Sequence, residues 1–456
     1  MILAALALAA LAAPPCGTAA RLHDAPRPAW RAWPTPPPGP KPARDAWGSY
    51  PNELPTENFV LKWGLDGDVS QAQAAAVGAL LETAWVDLIA GLGMPAPAGS
   101  EHYLMNVYIA GTGPQLPPSY DNAAYFYYDD DGWPMLVINL RTLDDPELTA
   151  ITTSHELFHA LQDATGSYPY DGPGAWYSEA SAVWASGHTH PDLSETVGKF
   201  LFAVAYRPEL PLNTYAYPTT GAIEEYYAYG SFIFLQFLDE RGDAAMIVDA
   251  WLDPRGEERP LATFADLLGG DLGPSFFDFE AANAHWSYAH RDEYLSAIDI
   301  WAPLSAEPHR PSGPLVLGAA AVAPEFAPHT LGANYWSLPP AIEPLRIEVR
   351  SEAEPTTWDA RIAFADGSSA ALVASERDPT LRWADLPALD AGSAAPLLVV
   401  SAVNGLDGED PWTLTYTARA TAPPTATCGC TASSPPSWAW ILAAWVAARR
   451  RVANRR

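Results

Sequence analysis

Cysteine is almost missing from this chain of 456 residues: only Cys16, near the start, and Cys428 and Cys430, near the end, occur. With none between them, no disulfide framework holds the body together, although export would permit one. Stability is expected to rest on packing and on metal. Positive charge is scarce too. Lys and Arg number 25 against 54 Asp and Glu, a formal net of −29, which repels nucleic-acid phosphates and anionic lipid alike. This argues against a nucleic-acid partner. Acidity spread over a large surface suits an exported, soluble protein and says nothing about fold.

The apolar runs that stand out lie at the two ends. Residues 2–13 are an unbroken series of Ile, Leu and Ala, closed by Pro14 and Pro15 and followed by small residues up to Ala20. That pattern predicts a signal peptide cut after Ala20, although no Lys or Arg precedes the run. Cys16 as a lipid-modified cysteine is the alternative, and Pro15 before it fits poorly. At the other end come Cys428 and Cys430, a Pro/Ser spacer, the apolar stretch Trp438 to Ala448, and Arg449, Arg450, Arg451, Arg455 and Arg456. Eleven helical residues cover only about half of a hydrocarbon core, so a span there needs snorkelling arginines. The order of these parts resembles the C-terminal sorting signals of myxobacterial surface proteins. That resemblance implies processing or anchoring at the cysteines by dedicated machinery, with membrane contact through this tail only. An ordinary tail anchor or stop-transfer segment is the plainer reading, and both place the body outside the cytoplasm, at the surface or released. Removing the five arginines takes the net charge from −29 to −34, so the acidity belongs to the body.

Length predicts two or three folded units. Residues 21–50, rich in proline, read as an extended linker or pro-segment, expected to be mobile. Residues 51–305 read as one domain. It begins with a strand (Phe59 to Gly64), a helix (Ser70 to Leu92) and a strand (Tyr103 to Ile109). A hairpin of Tyr125 to Tyr128 and Met135 to Leu140 follows, around an Asp129, Asp130, Asp131, Gly132 turn. Calcium at these aspartates is a weaker reading than ordinary turn chemistry. Asp145 as N-cap, Pro146 in the first turn and Gly166 as a stop bound a helix over Pro146 to Thr165. Further helices are expected at Ala175 to Ser186, Tyr226 to Arg241, Ala244 to Trp251 and Phe276 to Ala289. Between 310 and 420, short runs separated by Gly, Pro, Asp and Ser predict an all-β sandwich. The strands expected there are Tyr335 to Leu338, Leu345 to Arg350, Trp358 to Phe364, Ala370 to Ala374, Leu397 to Val403 and Trp412 to Ala418. Residues 421–456 form the tail. The expected class is α+β, a mixed sheet with active-site helices followed by that sandwich.

His155, Glu156 and His159 spell HExxH within the best-bounded helix. Histidines four apart emerge on one face one turn apart and can share a metal, whereas Glu156, about 100° round the helix, can reach a water beside it. Three ligands plus an open position define a catalytic zinc site, so a third ligand is needed. The metzincin pattern is excluded, because Gln162 and Thr165 stand where it needs Gly and His. Glu179, in a helical stretch flanked by Ala180 and Ala182, is the favoured third ligand; His188, His190 and Asp163 are alternatives. Here the chain resembles the gluzincins, zinc peptidases typified by thermolysin, whose third ligand is a glutamate on a second helix. The resemblance implies a zincin-like domain with Zn2+ on His155, His159 and Glu179, and Glu156 as base. It also implies that the strand Met135 to Leu140 is the sheet edge where an extended peptide lies. Val183 departs from that family, which carries Asp there. Gln162 reads as a supporting or solvent residue, and Tyr226, Tyr227 and above all Tyr229 are candidates for stabilising an oxyanion.

The function expected is a zinc-dependent endopeptidase acting on extracellular proteins or peptides. A non-catalytic surface adhesion protein stapled by zinc, and a zinc hydrolase of non-protein substrates, are the alternatives. An intact Glu156 weighs against the first of these, since a structural site needs only ligands.

Overall fold

In a computed structural model the described residues are 16–18, 39–44, 50–113, 123–129, 131–168, 170, 172–217, 221–254, 259–301, 313–339, 343–388, 394–406 and 412–424. The expected sorting tail, nearly all of the expected signal peptide and Asp130 lie outside them. The protein is a mixed α+β chain with two compact units.

The first unit takes residues up to 203, 213–267 and 292–304. Its sheet has strands β1 (Asn52–Pro55), β2 (Phe59–Trp63), β3 (Met105–Ala110), β4 (Ala124–Tyr128) and β5 (Pro134–Asn139). Their order is β1-β2-β3-β5-β4. β2, β3 and β5 run parallel, and β1 and β4 pair antiparallel at the two edges. The three central strands are almost wholly buried, as apolar runs without alternation require when both faces are covered. The edge assignment therefore differs from expectation. The strand before the motif helix, β5, is interior, and β4 is the edge, because the hairpin returns on the outer side of β5.

Asp129 holds the hairpin turn together. Its carboxylate accepts from the backbone N–H of Asp131 and Trp133 at 2.9 and 3.0 Å, and it pairs with Arg44 at 2.9 Å. Arg44 is buried and lies over Trp133, with its guanidinium 4.7 Å from the ring centroid. Part of the stretch expected to be a mobile linker is thus fastened to the domain, since a buried cation needs its carboxylate and aromatic partners.

Helix α1 (Gln71–Trp85) carries a capping box at Ser70 and Gln73 and continues as a π-helical turn over Val86–Gly91. Helix α2 (Pro146–Thr165) has the expected bounds: Asp145 accepts from the N–H of Glu147 and Leu148, and Gly166 adopts the left-handed C-cap at φ 70°. Every residue from Thr149 to Asp163 is buried, which places α2 at the centre of the unit. Against it packs α3 (Ala175–Thr189), whose Ala, Ser and Gly content permits close approach. The expected Tyr226 to Arg241 helix is broken into short turns and then α4 (Phe232–Glu240), followed by α5 (Ala244–Leu252).

The second unit takes 204–212, 268–291 and the chain from 305 onward. Its strands are β6 (Gly332–Ser337), β7 (Leu345–Ser351), β8 (Trp358–Ala363), β9 (Ser369–Ala371), β10 (Val373–Ala374), β11 (Leu381–Leu386), β12 (Leu397–Ala402) and β13 (Tyr416–Thr421), in two antiparallel four-stranded sheets of order β10-β11-β7-β13 and β6-β12-β8-β9. Residues from both sheets, including Ile347, Val349, Trp358, Ile362, Leu398 and Val400, share one core. Leu381–Leu386, unforeseen from sequence, supplies the strand between β10 and β7. Helix α6 (Gly273–Ala284) packs on this unit's strands, with Tyr335 donating to Glu280 and Arg361 pairing with Asp278. The division between units is thus not the single cut near residue 305 that the linear reading draws.

Candidate metal centre

Helix periodicity brings His155 and His159 to one face of α2, with Nε2 atoms 3.1 Å apart. Glu179 projects from the second turn of α3, its Oε2 3.3 Å from His155 Nε2 and 3.6 Å from His159 Nε2. Cys16 completes the group: its Sγ is 3.3 Å from His159 Nε2, and the four ligand atoms lie within 4.8 Å of one another. A tetrahedral ion with ligands at about 2.0–2.3 Å has ligand–ligand edges of roughly 3.3–3.8 Å. The two histidine–glutamate contacts and the cysteine–histidine contact fall at or near that figure, the two histidine nitrogens are closer at 3.1 Å, and all four side chains are buried. Apart from the two histidine contacts to Oε2, the Glu179 carboxylate has no hydrogen bond among the described residues, and its buried Oε1 is costly unless a cation sits beside it.

The orientation of His159 is fixed. Gln162 Nε2 donates to Ser178 O and Ser181 Oγ at 2.9 and 3.0 Å, which leaves its Oε1 to accept from His159 Nδ1 at 2.8 Å. The lone pair of His159 is thereby turned to Nε2 and the shared point. Gln162→Leu breaks this chain while keeping the volume. A 10- to 100-fold loss of metal affinity is expected, measurable by competition with a chromophoric chelator. An unchanged affinity would show that α2 alone orients the ring.

Burial alone would lower the pKa of His159, but Glu179, then Glu156 and Gln162, outweigh it and leave it raised. Burial would raise Glu179; the two histidines reverse that and hold its carboxyl at about 2. Burial, then Glu156 and Glu179, push the Cys16 thiol well up. Glu156 points to the same space, with Oε2 3.7 Å from Cys16 Sγ and accepting from Thr18 Oγ1 at 2.8 Å.

Tyr229 lies with its ring nearly parallel to that of His155, centroids 6.3 Å apart, and burial followed by Glu179 keeps its phenol protonated far above the usual range. Tyr226 stacks on Phe200 instead, and Tyr227 is buried. The other ligand candidates fall elsewhere. His188 stands against Asp239 and Trp184, His190 caps the end of α3, and Asp163 accepts from the Tyr128 hydroxyl. Val183 lines the cavity beside His155, so an apolar wall stands where the thermolysin-like enzymes have a carboxylate.

That cavity, of about 30 Å³, is also lined by Cys16, Glu156, Lys199 and Phe200. Sequence reasoning passed over Lys199, since a single lysine between Gly198 and Phe200 carries no motif. It is 9% exposed, and burial, partly offset by Asp145, pulls its pKa down to about 8. A base whose folded pKa lies below its unfolded value destabilises the fold fully below the folded value, and the cost fades as pH rises towards the unfolded one. Lys199→Met should therefore stabilise the protein by up to about 3 kcal/mol below pH 8, with the gain vanishing near pH 10.5, in denaturant titrations at several pH values. No gain at pH 7 would mean that the ammonium is solvated by water in the cavity.

Fold and site together define an α+β protein with a buried Cys/His/His/Glu group able to hold a metal ion. Residues 40–352 match the model of a family of unknown function, DUF6055, and with more than half of its length matched the chain belongs to that family. The matched stretch contains His155, Glu156, His159, Glu179 and Lys199 and begins after Cys16. No curated protein matches the chain.

Proposed function

We propose that the protein is an exported zinc-dependent endopeptidase with a zincin-like catalytic unit. The observation that carries the reading is the convergence of His155, His159 and Glu179 on one point with the Glu156 carboxylate beside it. Two nitrogens and a carboxylate are a zinc donor set, and zinc in such a site lowers the pKa of a water to about 7. With a metal held by His155, His159 and Glu179, Glu156 would be the general base of the hydrolysis, holding a proton at its carboxylate and giving it to the departing amine. Tyr229, kept protonated by burial, is the donor for the oxygen on which charge develops.

A peptide is favoured over other substrates by β4. It is an edge strand, and the chain at residues 16–18 already touches it: Cys16 forms a parallel bridge with Ala124, Gly17 N–H donates to Ala124 O at 3.0 Å, and Phe126 N–H donates to the Thr18 side-chain Oγ1 at 2.7 Å. An edge of this kind recognises the backbone of an extended chain. The leader and the arginine-rich tail support export and surface display.

The exported form should contain one zinc per chain by elemental analysis and should cleave a reduced, unfolded protein, with loss on chelation and recovery on adding zinc. A folded sample that takes up no zinc would end the reading.

A further inference from the structure

Three consecutive residues close the site. Cys16 Sγ sits 3.3 Å from His159 Nε2 and within 4.8 Å of the ligand atoms of His155 and Glu179. Thr18 Oγ1 donates to Glu156 Oε2 at 2.8 Å and so occupies the base. Between them Gly17 pairs with the edge strand through Ala124 O, and Cys16 and Ala124 form a parallel bridge. The same tripeptide thus fills the fourth ligand position, the proton-transfer group and the backbone edge. A cysteine buried merely for packing would need none of the last two contacts. Two further oxygens, Glu156 Oε1 and Glu179 Oε1, are buried without a hydrogen bond among the described residues and point to a cation within the group that Cys16 completes.

We propose that Cys16-Gly17-Thr18 is a built-in plug: the Cys16 thiolate is the fourth ligand, and the enzyme is latent while this segment is in place. The inference rests on the zinc reading above. Closing releases the thiol proton to solvent as the sulfur–zinc bond forms and water leaves. In opening, that bond breaks, the sulfur regains a proton from solvent and water enters, with no change of oxidation state. The cut expected after Ala20 removes all three residues together. Loss of the leader is then also the opening of the site, and the chain cannot hydrolyse its surroundings before that cut.

The test uses the full chain, stripped by chelator and loaded with cobalt(II). A thiolate-to-cobalt charge-transfer band should appear, and Cys16→Ser and Cys16→Ala should abolish it while the visible ligand-field bands of cobalt persist. Iodoacetamide labelling of Cys16, read by peptide mass mapping to separate it from Cys428 and Cys430, should slow at least about tenfold when metal is added. With zinc, the full-length Cys16→Ser protein should cleave an unfolded protein at least about tenfold faster than the unaltered full chain. Ligand-field bands without the charge-transfer band, or labelling unaffected by metal, would overturn the plug and leave the zinc site standing. A full chain that binds no cobalt would overturn both.

Discussion

Glu156→Gln should leave zinc bound at one per chain and reduce cleavage of an unfolded protein by about 10²–10⁴-fold, in the exported form and in a Cys16→Ser background alike. The amide keeps the shape of the side chain and accepts from Thr18 as the carboxylate does, but it cannot take a proton. Because Glu156 touches the metal group from outside, at 3.7 Å from Cys16 Sγ, its charge is not needed for ligation. The decisive comparison is metal content against kcat on one preparation. Equal activity of variant and parent would remove Glu156 from the mechanism, and loss of zinc would make it a ligand instead.

The second large effect concerns Glu179. Glu179→Gln should lower zinc affinity at least about 100-fold, since a neutral amide replaces the one anionic ligand that the two helices supply. It should also change the metal-free protein in a way that metal assays miss. With its pKa held at about 2 against an ordinary 4.5, Glu179 adds stability that is present above pH 4.5 and is lost as pH falls towards 2. The raised pKa of His159 works the other way: its contribution is present below pH 6.5 and lost as pH rises through the folded value. The two shifts share the His159–Glu179 contact, with His155 adding to the first and Glu156 and Gln162 to the second, so the apoprotein should be most stable in the acidic window between them. In Glu179→Gln that window should flatten, and the His159 resonance should titrate lower than in the parent, because burial is then opposed less. A stability profile identical to that of the parent would show that water, not the histidines, neutralises Glu179.

The motif helix was legible because each bound has a local chemical cause: Asp145 for the first N–H groups, Pro146 for φ, Gly166 for the left-handed exit. Helix α3 runs past its expected end at Ser186 to Thr189, since Gly187 is tolerated inside it and the stop comes only with Pro191. The edge of the sheet was misjudged for a different reason. Sequence order says that β5 precedes α2, but whether the hairpin partner lies inside or outside β5 depends on packing against the rest of the sheet. Glu179 was readable from spacing within a helix pair. Cys16 was not: it meets Glu156 and His159 across 140 and 143 residues, a contact that no local pattern announces. Gln162 lay between, visible as a residue nearly one turn beyond His159, but its task depends on Ser178 and Ser181 of the other helix.

The edge position of β4 carries a risk as well as a use. An edge strand is a place where an extended chain can pair, a second copy of the same strand included. While the tripeptide lies along Ala124 and Phe126, the two hydrogen bonds it makes there cap the strand. Once it is gone, solubility at high concentration depends on the repulsion between strongly acidic bodies. The surplus of carboxylates that first argued against nucleic acid is then what keeps opened molecules apart, and added salt should bring them together.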